Sequence, residues 1–172
     1  MKRILVLVMG LTVSGLAWSE SWVGLNAAQL ERDNGFYRAQ KERIETDELF
    51  LRIGADMNDI FGSELRLGAT PEATEEFGHT FEHSHLVGGY LRAQYELGFV
   101  SPYVITGITE GKQEVVFPSG ARDTRSFDDI SIGAGIDFTF GDHFGINAEY
   151  MRYYDIGTVS LRGPSAGLYW QF

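Results

Sequence analysis

The sequence predicts an all-β protein that folds as an eight-stranded antiparallel up-and-down transmembrane β-barrel. Three observations predict it: apolar and polar residues alternate after residue 21, long and short connections alternate, and the chain ends on an alternating segment that closes with Phe172. Successive side chains of a strand point to opposite faces, so period-two alternation indicates strands with one apolar face. Several segments approach the roughly 10 residues that a tilted strand needs to cross a bilayer.

The N-terminus has the pattern of a secretory signal. Lys2 and Arg3 precede an apolar run over residues 4–16, and small residues lead into a polar segment. Cleavage after Ser19 fits this pattern, and cleavage after Ala17 is the alternative. A membrane anchor is a further alternative, but the run is shorter than the roughly 20 apolar residues of a spanning helix.

We therefore expect a signal peptide at residues 1–19 and one barrel domain at residues 20–172. Two of the 14 basic residues lie in the signal, which leaves 12 basic against 24 acidic residues and a net charge of about −12. Nucleic-acid binding draws its affinity from Lys and Arg at phosphates, so this charge argues against it. The absence of cysteine excludes disulfides and thiolate metal sites. No later segment is apolar for long enough to form a transmembrane helix.

Six segments alternate clearly between an apolar and a polar face. They are residues 48–57, 61–69, 85–97, 129–140, 144–150 and 166–172. Residues 22–30 and 102–110 also have the composition of strands, but their two faces are harder to separate. Together these segments predict eight strands.

The connections between the predicted strands alternate in length. Short turns are expected near residues 58–59, 98–101 and 141–143. They contain Asn, Asp or Gly, the residues that hairpin turns favour. Longer polar stretches occupy residues 32–47, 70–84, 111–127 and 155–162. In an up-and-down barrel all four long stretches fall on one rim, as in barrels with long extracellular loops and short periplasmic turns.

The composition of the two faces favours a membrane barrel over a soluble one. The apolar face carries aromatic residues near strand ends: Phe61, Tyr95, Phe138, Phe140, Phe144, Tyr150, Trp170 and Phe172. Such girdles are expected at membrane interfaces. The opposite face is rich in glycine and in charge: Arg52, Glu64, Arg66, Arg92, Glu96, Asp137 and Glu149. We expect the three arginines to pair with the four carboxylates inside the barrel, because buried charges need partners. The alternative is that this charged face is the solvent-exposed side of a soluble sheet.

The chain resembles the small bacterial outer-membrane β-barrel family. The residues that carry the resemblance are Gly167–Phe172, which ends on phenylalanine, the stretch 101–104 with Gly107, and the stretch 145–150. The family includes the outer membrane protein A transmembrane domain, outer membrane protein X and opacity-type, porin-like proteins. The resemblance implies an outer-membrane location after export, insertion by the barrel-assembly machinery, contact with outer-membrane lipids and lipopolysaccharide, and a monomer.

A cluster of histidines contains the residue types of a zinc or catalytic site. His79, His83 and His85 lie within or directly beside the second long stretch, where Glu82 and Ser84 also occur. His and Glu can bind zinc, but a full ligand set is not specified. The resemblance includes lipid A-modifying enzymes, some with a His/Ser pair, yet neighbours along a strand face opposite ways. We therefore expect no catalytic, cofactor-binding or metal-binding residues, and no cofactor.

Two polar loops are candidates for surface contacts. Loop one, residues 31–47, and loop three, residues 112–128, carry charges of both signs. They are interpreted as hydrophilic surface or as a binding surface for a partner, as in adhesin members of the family. The leading hypothesis is a non-catalytic barrel with surface-exposed, interacting loops. The alternatives are a narrow low-conductance pore, a lipid A-modifying enzyme and a soluble lipocalin-like barrel.

Overall fold

The computed structural model describes residues 20–34, 43–70, 74–76, 79–116, 122–156 and 159–172. These residues form β-strands joined by short connections. The strands are β1 (Glu20–Asn34), β2 (Arg43–Asp56), β3 (Phe61–Ala69), β4 (Thr74–Glu76), β5 (His79–Gln94), β6 (Val100–Val116), β7 (Arg122–Phe140), β8 (Phe144–Ile156) and β9 (Val159–Gln171). Within the described residues, no helix is long and apolar enough to cross a membrane.

Eight of these strands close into one antiparallel barrel. Each long strand pairs with its neighbour along the chain, β9 returns to pair with β1, and β3 pairs with β5. The short β4 pairs only with the start of β5, above the end of β3. The prediction of an eight-stranded antiparallel up-and-down barrel is therefore confirmed. A closed barrel leaves no unpaired sheet edge along these strands.

The burial of side chains alternates along the strands, as the sequence pattern predicts. In β3, for example, exposed Leu65 and Leu67 alternate with buried Glu64 and Arg66. β1 and β6, whose faces the sequence left unresolved, turn Trp22, Tyr103 and Ile105 inward. Their inner faces carry apolar as well as polar side chains, and this mixture obscured the alternation.

The strands at the long-loop rim extend further than the sequence pattern indicated. β1 and β2 remain paired up to Asp33 and Arg43, and β6 and β7 up to Val116 and Arg122. Much of each predicted loop is therefore strand, and the expected loop boundaries were wrong. The physical reason is that pairing there depends on backbone hydrogen bonds, which require no apolar face once a strand has left the lipid.

The opposite rim is made of tight turns and the two ends of the described chain. Asn58 Oδ1 accepts hydrogen bonds from the backbone N–H groups of Ile60 and Phe61. Gly98 and Gly141 adopt positive φ angles of 72° and 65°, which favour glycine in tight turns. Beside them, Ser21 and Phe172 exchange two backbone hydrogen bonds that complete the β1–β9 pairing.

Candidate functional site

Large apolar side chains cover the outside of the barrel. Leu91 is 61% exposed, Ile108 61% and Ile130 66%, and every long strand contributes such residues to the same outer surface. A protein in water rarely exposes a contiguous apolar surface of this extent. A lipid-facing apolar band with a polar interior is the arrangement of a transmembrane barrel. The outward orientation of the apolar face, predicted from the sequence, is confirmed.

Aromatic side chains gather at the rim of short turns. Exposed aromatic residues near this rim are Phe61, Tyr95, Phe99, Phe140, Phe144, Trp170 and Phe172. The predicted Tyr150 is also exposed, but it lies farther along β8, towards the long-loop rim. Phe99 follows the positive-φ turn at Gly98, outside any alternating segment, so the pattern did not select it. Aromatic belts at membrane interfaces are typical of these barrels, so this rim marks one boundary of the bilayer.

The lumen contains a network of buried ion pairs. Arg52 binds both carboxylate oxygens of Glu64, with N···O distances of 2.6 and 2.8 Å. Arg66 donates from Nε to Glu64 at 2.5 Å and binds both oxygens of Glu149 at 2.5 and 2.7 Å. Bidentate arginine–carboxylate pairs are among the strongest hydrogen bonds in proteins. Four charged side chains therefore form one continuous series of ion pairs across the barrel interior.

Asn147 links this series to a further ion pair, between Arg92 and Asp137. Its carbonyl oxygen accepts a hydrogen bond from Arg52 at 2.6 Å, and its amide donates to Asp137 Oδ1 at 2.5 Å and to the Tyr103 hydroxyl at 2.8 Å. Tyr103 in turn donates to Glu149 at 2.8 Å, which returns the network to Arg66.

Aromatic rings cover the guanidinium groups of the network. The Arg92 guanidinium carbon lies 4.0 Å from the Tyr103 ring centroid, and that of Arg66 lies 4.9 Å from the centroid of Tyr90. Such contacts stabilise a desolvated cation. The predicted pairing of the three arginines with Glu64, Asp137 and Glu149 is confirmed.

Glu96 does not belong to the lumen network, and its inclusion among the predicted charges was wrong. β5 ends at Gln94, and Glu96 lies exposed in the turn that follows. The alternation that placed Glu96 on the inner face does not continue past the end of the strand. Sequence reasoning also missed Asn147, Tyr103 and Asn26 as members of the network; Asn26 donates to Asn147 Oδ1 at 2.7 Å and accepts from Arg52 at 3.3 Å. Their positions on the inner faces of paired strands were the available signal.

An apolar layer fills the lumen on the loop side of the charges. It is formed by the buried side chains of Leu30, Phe50, Leu86, Ile105, Met151, Tyr153 and Leu161, among others. Phe50 stacks on Tyr153 with the ring centroids 5.3 Å apart. An eight-stranded barrel is just wide enough for side chains to fill, and here two layers of different polarity do so.

The histidine cluster lies largely outside the described side chains. Among the described residues, no group of three or more His, Asp or Glu side chains has the geometry of a metal site. His85 is exposed on β5. The pairing of β5 with β6 shifts register between Glu82 and His85, so simple alternation does not fix how His83 and Ser84 face. The side chains of His79 and His83 are outside the described set.

The closed barrel, its apolar outside and its charged lumen define an integral membrane protein that crosses the bilayer with strands. Residues 4–172 match the family described as outer membrane protein beta-barrel domain. The chain belongs to this family, and its location is the outer membrane. No curated protein sequence matches the chain.

Solved structures show the same fold at low sequence identity. The attachment invasion locus protein Ail of Yersinia pestis, in complex with the heparin analogue sucrose octasulfate, is 19% identical, with a TM-score of 0.69 over 89% of this chain and 98% of Ail. Neisserial surface protein A is 14% identical, with a TM-score of 0.69 over 88% of this chain and 97% of the neighbour. OprG from Pseudomonas aeruginosa is 11% identical, with a TM-score of 0.59 over 89% of this chain and 95% of OprG.

Proposed function

We propose that this protein presents its long-loop rim outside the cell to bind a surface partner, without catalysing a reaction. The observation that carries the proposal is the paired extension of the strands beyond the apolar band. β1 and β2 continue from the Ala27–Leu49 pair to the Asp33–Arg43 pair, about 20 Å of strand at about 3.4 Å per residue. The β6–β7 extension, from the Ile108–Ile130 pair to the Val116–Arg122 pair, is about 27 Å of strand on the same basis.

These extensions form a stable support for the connecting segments 35–42 and 117–121. Loops on a rigid scaffold commonly carry binding function. The segments and the strand ends beside them contain charges of both signs, such as Arg38, Lys41 and Glu42. A partner with complementary charges of both signs, such as a protein surface, suits this composition.

The test is to replace segments 35–42 and 117–121 separately with Asn-Gly turns, which keep the strand pairs. We expect binding to whole host or neighbouring cells to fall while the barrel still shows heat-modifiable gel mobility. Equal cell binding by the loop-replaced and unaltered proteins would argue against a loop-mediated function.

A sulfated polysaccharide is a second candidate partner, because Ail was solved with a heparin analogue. Heparin added to the cell-binding assay distinguishes the two candidates. Competition by heparin that depends on the loops favours the polysaccharide, and its absence favours a protein partner.

We further propose that the lumen does not conduct ions freely. The support is the network of Arg52, Arg66 and Arg92 with their carboxylates, together with the apolar layer beside it. Planar-bilayer recording should then show no large, stable conductance steps. Such steps would favour the pore hypothesis instead.

We also propose that the protein catalyses no reaction and that residues 1–19 are a signal peptide. Lipid A should have the same mass spectrum in cells with and without the gene, and a modified lipid A would establish an enzyme. N-terminal sequencing of the protein from outer membranes should begin at Glu20, which would place the signal peptide at residues 1–19 and the barrel domain at 20–172. During export the chain is expected to depend on the barrel-assembly machinery and to remain a monomer.

A further inference from the structure

The outer surface of the barrel changes character where the apolar band meets the long-loop rim. On each long strand except β3, an outward-facing ionisable residue lies at this boundary. The boundary residues are Glu31 on β1, Asp47 on β2, His85 on β5, Glu110 on β6, Asp128 on β7, Arg152 on β8 and Arg162 on β9. Among these residues, β8 and β9 alone supply arginine. The boundary is therefore acidic on β1, β2, β6 and β7 and cationic on β8–β9.

The two arginines are directly opposite each other. Arg152 and Arg162 are register partners across the β8–β9 pair. Like charges in this arrangement destabilise a sheet unless an anion lies between them or other charges offset them. The neighbouring acids are Asp155, 3.4 Å from Arg152 in a half-exposed pair, and Glu31, the register partner of Arg162 on β1. Two further acids lie next to these: Asp129 Oδ2 accepts a hydrogen bond from the Asp155 backbone N–H at 2.7 Å, and Glu45 is the register partner of Glu31. Both arginines retain solvent-accessible surface.

A shallow groove lies directly beneath this arginine pair on the outside of the barrel. Its floor is a row of alanines on three adjacent strands, since Ala166 pairs with Ala27 on one side and with Ala148 on the other. Tyr150 and Pro164 border it next to the arginines, and the open volume is about 580 Å³. We call this depression the alanine groove. It exists because an alanine ends at Cβ, whereas the leucines and isoleucines around it reach further into the lipid.

The groove and the arginines occur at the depth of the outer leaflet. The long-loop rim of an outer-membrane barrel faces outward and the short turns face the periplasm. The boundary at Arg152 and Arg162 is on the loop side, far from the aromatic rim at Phe144 and Trp170. An occupant of this face must therefore combine an anionic headgroup at the boundary with an acyl chain just below it.

We propose that the β8–β9 face binds a phosphorylated lipid of the outer leaflet, a lipid A-type glycolipid. Its phosphate lies between Arg152 and Arg162, and one acyl chain lies in the alanine groove. The charge complementarity selects this occupant, because the boundary residues of β1, β2, β6 and β7 are acidic and repel phosphate, whereas β8 and β9 each present an arginine. Arginine suits the phosphate, since its planar guanidinium donates two hydrogen bonds at once. This site is on the barrel wall and is independent of the loops that carry the proposed function.

The site is tested by lipid binding to the folded full-length protein in neutral detergent, followed by native mass spectrometry. The probes are bis-phosphorylated lipid A, dephosphorylated lipid A and inorganic phosphate. We expect one lipid A per barrel, binding of the dephosphorylated lipid weakened about tenfold or more, and no retained phosphate, because charge-assisted hydrogen bonds to the headgroup supply much of the affinity. Equal binding of both lipids would contradict the role of the arginines.

Two pairs of variants test whether lipid A binding depends on this site, or only on the total positive charge and on side-chain size anywhere on the barrel wall. R152Q/R162Q should weaken lipid A binding about tenfold or more, while R122Q/R125Q, which removes the same charge at the start of β7, should not change lipid A binding. A148F fills the alanine groove and should weaken lipid A binding. Its control G89F introduces the same side chain on the outside of β5, where a new Cβ meets only Leu65 at 3.8 Å, and should bind normally.

Several results would overturn the proposal. Equal loss in R152Q/R162Q and R122Q/R125Q would indicate non-specific attraction, and retention of inorganic phosphate as tightly as lipid A would indicate an ion site. A dimer that A148F converts to a monomer without affecting lipid A would assign the groove to a second copy of the chain. Folding of each variant is checked by heat-modifiable gel mobility, and A148L replaces A148F if the larger side chain prevents folding.

Discussion

At the scale of single residues, Arg66 has the most demanding environment in the barrel. Its guanidinium binds Glu64 and Glu149 and lies over the ring of Tyr90, and its side chain is almost fully buried. A buried ion pair contributes little net stability compared with well-packed apolar residues, but removing one partner leaves the other charge uncompensated. The lumen network is thus a set of mutually dependent charges.

Replacement of Arg66 by methionine should therefore destabilise the barrel strongly. The variant leaves Glu149 without its bidentate partner, and a cost of about 3–5 kcal/mol in the free energy of unfolding is expected. Urea unfolding of the protein in lipid vesicles, followed by fluorescence, measures it. The matched control is Arg152→Met, whose half-exposed pair with Asp155 should contribute about 0–1 kcal/mol. Similar small losses in both variants would refute a buried network.

Gly135 tests the packing around the same network. A Cβ at this position would lie 2.4 Å from the phenol end of the Tyr103 ring and 2.8 Å from the carbonyl oxygen of Ala148. Tyr103 cannot move away without losing its hydrogen bonds to Glu149 and Asn147.

We expect Gly135→Ala to cost about 1–3 kcal/mol in the free energy of unfolding, the range for an overpacked interior. Gly89→Ala is the control, because its Cβ points to the outside and meets only Leu65 at 3.8 Å. The same urea titration compares the two. Equal stability of both variants would mean that Tyr103 is not held in place.

At the scale of the strands, the depth of an outward-facing position in the bilayer determines how much stability a charged substitution costs. Leu91 is near the centre of the apolar part of β5 and is 61% exposed, whereas His85 is exposed at the loop-side end of that part. Cationic side chains on the lipid face destabilise a membrane barrel most at the bilayer centre and least near its surface.

Leu91→Arg should therefore cost about 2–4 kcal/mol and His85→Arg about 0–1 kcal/mol. Unfolding in vesicles gives both values. In a soluble barrel the exposed Leu91 would accept arginine without loss, so an unaffected Leu91→Arg variant would contradict the membrane assignment.

The strands also show what the sequence could and could not predict. The two faces of β7, β8 and β9 were predicted well, because lipid selects apolar residues on one face and the narrow lumen selects Gly, Asn and charged residues on the other. The faces of β1 and β6 were not resolved, since Trp22, Tyr103 and Ile105 are apolar residues that face inward. The upper strand ends were missed because both faces are polar there, so no alternation marks the pairing.

At the scale of the whole molecule, the barrel reverses the usual distribution of polarity. Three arginines and their carboxylates lie inside, and most of the large aliphatic side chains lie outside. The order of strands followed directly from the sequence, because each short turn joins neighbouring antiparallel strands. The partners inside the lumen could not be predicted individually, since they depend on the register between strands distant in the chain, such as Arg66 with Glu149.

The reversed polarity can be tested with the two tryptophans of the predicted mature chain. Trp22 is 6% exposed and faces the lumen, while Trp170 is 51% exposed and faces outward. Their depths are nearly equal, because Trp170 pairs with Val23, the residue after Trp22. They therefore differ in the face they occupy and hardly in their distance from the membrane surface.

The most direct measurement is quenching of each tryptophan by lipids brominated on their acyl chains, using residues 20–172 with Trp22→Phe or Trp170→Phe in vesicles. Trp170 alone should be strongly quenched, and Trp22 alone should be quenched only weakly. Strong quenching of Trp22 with protection of Trp170 would place the apolar face inside the barrel and contradict the account.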